Sequence, residues 1–135
     1  MTHVATYVST LIVFIACDAM WLSTMVPRVY RPLLGDLLAK GVSFVPAAAF
    51  YLVYPIGLML FAIQPGLKSG SILVAVVYGA LFGFFTYATY DLTNHATLRN
   101  WPWQVTVLDI AWGTLLGAIA AAAGHAVASR VGAIA

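Results

Sequence analysis

Tyr87, Asp91 and His95 recur four residues apart in the stretch Tyr87-Ala88-Thr89-Tyr90-Asp91-Leu92-Thr93-Asn94-His95, so on a helix they share one face. The stretch closes a long apolar run and brings a carboxylate, an amide and an imidazole together. Two further acids have a related setting. Asp18-Ala19-Met20-Trp21 and Asp109-Ile110-Ala111-Trp112 each place an indole one turn beyond a carboxylate. Ionisable groups within membrane-length apolar segments are rare and point to function by default. The chemistry on offer is a proton-coupled or ligand-binding pocket. A metal site built from Asp18, Asp91, His95 and Asp109 is a weaker reading, with Asp91 and His95 its core, because it holds a single interior imidazole. Ser9, Ser23 and Ser43 have no neighbouring base, and no glycine-rich phosphate loop is present. These weigh against an enzyme and imply no cofactor.

These residues sit in a chain made for lipid. It has 135 residues, 63% hydrophobic and 7% charged, with a mean hydropathy of +0.97. Soluble domains carry about 25% charged residues. The net charge of +2 is too small to argue for nucleic acid. Glu is absent, so all four acids are Asp. Cys17 is the single cysteine and excludes an intrachain disulfide. Phe14-Ile15-Ala16-Cys17 only loosely resembles a lipoprotein cleavage box, and the first apolar run reads better as an uncleaved signal anchor.

A helix needs about 20 apolar residues to cross the hydrocarbon core. The pattern predicts one membrane domain over residues 1–135 with four spans, at about 4–26, 46–63, 71–92 and 103–128. The first is expected to end at Pro27. Residues 27–45 carry Arg28, Arg31, Asp36 and Lys40 among leucines at helical spacing, and predict a short amphipathic helix at the interface. A plain connecting loop is the alternative. Pro55 and Gly57 predict a kink in span two, and Gln64–Gly70 a tight turn after it. Gly79 with Gly83, and Gly113 with Gly117, form small-xxx-small pairs that predict close packing of spans three and four. Trp101 and Trp103 mark an interfacial belt.

Four alternating spans put both termini on one side. Asp18, Asp91 and Asp109 then share the other side, within about two turns of the interface, together with Asn94, His95, Trp21 and Trp112. His3 and His125 fall on the terminal side, and His125 reads as an interfacial residue. The links after spans one and three carry Arg28, Arg31, Lys40 and Arg99, against Lys68 and Arg130 on the terminal side. That bias favours cytoplasmic links and outside, periplasmic termini. An Asp followed by an Arg past the helix end occurs in each half, a faint sign of duplication.

Three acids in one layer are expected to face inward, since each costs about 2.5–3.5 kcal/mol at a helix centre. One alternative is structural, with the carboxylates capping helix ends, accepting from Trp and Tyr donors and pairing with Arg28 or Arg99. The fold expected is an all-α four-helix bundle in the membrane. Its pocket of Asp18, Asp91, Asn94, Asp109, Trp21, Trp112 and Tyr87 would bind or translocate a small or lipid-like ligand, with Asp91 as key acid. Rival functions are an accessory subunit of a larger membrane complex or a homo-oligomer, and a membrane enzyme acting on lipids or isoprenoids.

At these residues the chain resembles a known family, the bacterial predicted membrane proteins grouped as domain of unknown function 2177. The resemblance rests on Asp18-Ala-Met-Trp21-Leu22, Tyr30-Arg31, Leu34-Gly35, Leu37-Leu38-Ala39 and Phe50-Tyr51-Leu52-Val53-Tyr54. It is most specific at Tyr87 to Asn94 with Ala96-Thr97, and at Asp109-Ile-Ala-Trp112-Gly113. It implies a compact four-helix protein of the bacterial inner membrane and no particular activity. His95 stands outside the shared pattern, which moves weight from a metal towards Asp91 and Asn94.

Overall fold

Lipid competes poorly for polar groups, so a membrane helix gains by turning its carboxylates inward. The computed structural model describes residues 1–134, with side chains to residue 132. It has four helices: α1 (Thr2–Leu37), α2 (Phe44–Ser69), α3 (Ile72–Thr97) and α4 (Trp103–Ile134). All four are long and apolar enough to cross a membrane, and no strand occurs among the described residues. In α1 the buried stripe is Thr6, Thr10, Phe14 and Asp18, one residue every four. Val4, Val8, Ile12 and Ile15 face outward. A soluble helix would show the reverse polarity.

The helices run up, down, up and down. Asp18 of α1 meets Trp112 of α4, Tyr54 of α2 meets Thr86 of α3, and Gly66 of α2 meets Ala75 of α3. The tightest seam joins α3 and α4. A Cβ on Gly83 would lie 2.0 Å from the Gly113 carbonyl oxygen, and one on Gly79 would lie 2.5 Å from that of Gly117. Backbone touches backbone there, which is how helices gain van der Waals contact without a hydrophobic drive. Phe14, Tyr54, Leu58, Trp112, Leu116 and Ala120 form the core beside this seam.

All four helices run past their expected ends, and the first two do so through a π-turn. The helix expected after the first span exists, but it is the continuation of α1 and not a separate piece beyond Pro27. A π-turn at Val26–Tyr30 carries the helix past both Pro27 and Pro32. In the same way α2 runs through Gln64–Ser69, expected as a turn, after a π-turn at Met59–Ile63. In both cases the residue closing the π-turn, Arg31 or Gln64, directly precedes a proline. A proline ring clashes with the carbonyl four residues back, and a wider turn relieves the clash without ending the helix. The reversal comes at Gly70, where φ is 67°, and Ser71 then caps α3 by accepting from Val74 N–H at 3.4 Å. α3 extends to Thr97, so Asn94 and His95 are helical.

Candidate functional site

The acids lie at the end of the bundle opposite the termini. Asp18 is buried, with 5% exposure. Its carboxylate accepts from the Tyr51 hydroxyl and from Trp112 Nε1, the latter at 3.1 Å. These are neutral donors on α2 and α4, so one carboxylate ties three helices together. That matches the structural reading of this residue as an acceptor for Tyr and Trp. The Trp112 ring stacks on Trp21, with centroids 4.5 Å apart and planes 2° from parallel.

Trp21 is the start of a second chain of contacts. Its Nε1 donates to the Tyr30 hydroxyl at 3.0 Å, and Tyr30 donates to Asp109 Oδ1 at 3.4 Å. The π-turn makes this geometry. At about 100° per residue, positions nine apart lie about 180° apart around an α-helix. A π-turn absorbs one extra residue. Tyr30 thereby returns to within about 80° of Trp21 and points back into the bundle, buried to 6% exposure.

Asp91 is fully buried, and no donor other than a carboxyl reaches either of its oxygens. Its neighbour is the Asp109 carboxyl. Two buried carboxyls in contact can hydrogen-bond only by sharing a proton, so this pair is the least satisfied point in this end of the bundle.

Between the helices lies a partly open cavity of about 430 Å³. All four helices line it: Asp18, Trp21 and Leu22 from α1, Phe50 and Tyr54 from α2, Thr86, Tyr87 and Tyr90 from α3, and Asp109 from α4. Its volume is within the range of small-molecule sites. The Tyr54 hydroxyl is fixed by Thr86 at 2.9 Å, and since Thr86 donates to the Phe82 carbonyl, Tyr54 is the donor of that pair. Tyr87 owes its place to Gly113, whose missing Cβ would fall 2.1 Å from the tyrosine ring. The acids on the cavity wall face no lysine, arginine or histidine among the other lining residues.

Of the residues singled out from sequence, Asp18, Asp109, Trp21 and Tyr87 line the cavity. Trp112 stands behind Trp21 and holds Asp18. Asp91 lies behind Asp109, outside the lining. Asn94 is half-buried one turn further along α3, also outside it. His95 is exposed and its Nδ1 meets the Thr106 hydroxyl at 3.2 Å, which also accepts from Trp101 Nε1 at 3.0 Å. That network ties the end of α3 and the α3–α4 link to α4. No cluster of three or more metal-ligating side chains occurs among the described residues. His125, expected at an interface, is instead buried beside Gly66 at the terminal end, with Nε2 unpartnered.

Sequence reasoning from spacing alone did not assign Tyr30, Phe50, Tyr51, Tyr54, Thr86 or Tyr90 to the site. The available signal was the phenol itself. A tyrosine deep in an apolar span needs a partner for its hydroxyl, and Tyr51 and Tyr54 sit one turn apart at mid-helix.

A family model described as "Predicted membrane protein (DUF2177)" matches residues 3–126. No curated protein and no solved structure matches the chain.

Proposed function

The chain belongs to the DUF2177 family of predicted membrane proteins, and we propose that it acts there as a binding protein for small amphiphilic molecules with a cationic or hydrogen-bond-donating head group. The observation that carries this reading is the four-helix cavity with Asp18 and Asp109 on its wall and Asp91 paired to Asp109 directly behind. The wall supplies acceptors. Rings supply the rest: Trp21, Phe50, Tyr54 and Tyr87 give flat apolar area and π-faces that attract cations. A head group with N–H or O–H donors would bond Asp109, whose phenolic donor Tyr30 lies 3.4 Å away. An anionic head would meet only like charge.

The Asp end is proposed to face the cytoplasm, since Arg28, Arg31, Lys40 and Arg99 lie at that end. The membrane is taken as the bacterial inner membrane on the family resemblance. Residues 27–37 of α1 then stand beyond the hydrocarbon, because a 36-residue helix is about 54 Å long against a core of about 30 Å.

The test is native mass spectrometry of the protein extracted gently from its membrane. A retained small molecule of basic or polyhydroxy character, lost in Asp109→Asn and in Asp18→Asn, is expected. A retained ligand indifferent to both substitutions, or a fixed complex with a larger partner and an empty cavity, sinks the reading.

A further inference from the structure

The cavity has a neighbour. A second, almost wholly apolar depression of about 360 Å³ lies on the outer face of α2 and α3, lined by Phe50, Val53, Tyr54, Ile56, Gly57, Leu60 and Phe82. Val53, Ile56 and Leu60 are 63%, 47% and 52% exposed, so its rim belongs to the lipid-facing surface. Gly57 opens it: a Cβ there would lie 2.6 Å from Phe82 Cζ, and the Phe82 ring takes that space. Phe50 and Tyr54 line both the groove and the acid cavity, so two rings form the partition between them.

The two rings are held differently. Tyr54 is 7% exposed, stacked on Phe14 with centroids 4.8 Å apart, and bonded to Thr86. Phe50 is 40% exposed, and its ring lies beside those of Phe14, Tyr51 and Tyr54, with centroids 5.2–5.8 Å away. A phenyl ring has no hydrogen bond to fix it, and a partly exposed ring changes rotamer readily.

We infer that the groove holds the alkyl tail of the same amphiphile whose head occupies the acid cavity, with Phe50 as the movable panel through which the ligand enters sideways from the lipid. This rests on the head-group reading above. The argument is continuity and complementarity. An acidic compartment and an apolar one share a wall, and the apolar one opens where tails already are. A water-soluble ligand would have no use for the groove. A two-chained phospholipid would have to place its second tail outside it.

The experiment uses the full chain in a non-ionic detergent and three defined probes: butylammonium, dodecylammonium and dodecyl sulfate. Retention is read by native mass spectrometry for the parent and for Val53→Trp and Leu60→Trp. Both substitutions fill the groove from its exposed rim and leave the core untouched. Dodecylammonium is expected to bind at least tenfold more tightly than butylammonium and to exceed dodecyl sulfate. Each tryptophan variant should cut dodecylammonium binding about tenfold while butylammonium binding holds. Variants that keep the full chain-length preference overturn the tail assignment and leave the head-group reading standing. A parent that does not prefer either ammonium over the sulfate overturns the head-group reading itself. A dimer that both variants disperse assigns the groove to a second copy, which also overturns the inference.

Discussion

The same two helices build a closed half and an open half. Toward the termini, α3 and α4 meet through Gly79, Gly83, Gly113 and Gly117, with space for no side chain between them. One turn past Gly83, Tyr87 replaces glycine, its ring lies on Gly113, and the bundle opens into the acid-lined cavity. Each half also contains a buried polar group short of partners. In the closed half it is His125 Nε2, packed near Gly66; in the open half it is Asp91, beside a second carboxyl and next to the cavity. In lipid, close packing and polar function compete for the same interior. Small residues win stability in one half, and rings with carboxyls hold a space open in the other.

The sharpest way to break this comparison is to fill the closed half. Gly83→Leu drives a side chain into the Gly113 carbonyl, and overpacking against backbone is expected to cost about 3 kcal/mol or more. Thermal unfolding in detergent reads it, with Gly41→Leu as reference. Nothing lies within 4 Å of Gly41, so that change should remain within about 0.5 kcal/mol. Equal midpoints for the two variants would mean that the helices do not touch at Gly83.

The open half should be more tolerant, but not at Asp18. Asp18→Ala strands the Tyr51 hydroxyl and Trp112 Nε1, each at a cost of about 1–3 kcal/mol. Adding Trp112→Phe to that variant removes one stranded donor and should recover part of the loss beyond simple additivity. Strict additivity in chemical unfolding would dissolve the link between α1 and α4.

Tyr30→Phe comes next, at about 1 kcal/mol, because it removes one donor and one acceptor from the Trp21–Tyr30–Asp109 chain. Its effect on Trp21 fluorescence should exceed its effect on stability. No spectral change would place Tyr30 elsewhere.

The smallest effect is expected at the residue with the most suggestive chemistry. Asp91→Asn replaces a carboxyl that must share a proton with Asp109 by an amide that donates to it outright. Stability should hold within about 0.5 kcal/mol or rise slightly. A loss above about 1 kcal/mol would show that Asp91 has a donor besides Asp109. The contrast between Asp18 and Asp91, two buried aspartates with opposite responses, separates an acid held by neutral donors from one held only by a second carboxyl.

Much of the fold was legible in the residues. Apolar runs of membrane length gave four helices, and alternating direction put Asp18, Asp91 and Asp109 at one end. The glycine pairs at spacing four marked the faces that meet across α3 and α4. The boundaries at Pro27 and Gln64 were not legible. Proline and glycine usually end a helix, and only the three-dimensional chain shows a π-turn carrying it past the ring. Tyr30 was hidden for the same reason, because a face read at 3.6 residues per turn puts it opposite Trp21. His125 looked interfacial because a lone histidine near a helix end usually is.

What the sequence determined by itself was environment, helix count, direction and the layer in which the acids lie, because each follows from transfer energy and chain geometry, which act residue by residue. What only the tertiary structure decided was the division of labour among the acids. Asp18 is satisfied, Asp109 stands on the cavity wall and Asp91 is hidden behind it, and that depends on where Tyr51, Trp112 and Tyr30 arrive from other helices. Spacing along one helix sets which side chains share a face. Whether a donor meets them is set by helix rotation and tilt, which packing fixes for the whole bundle at once.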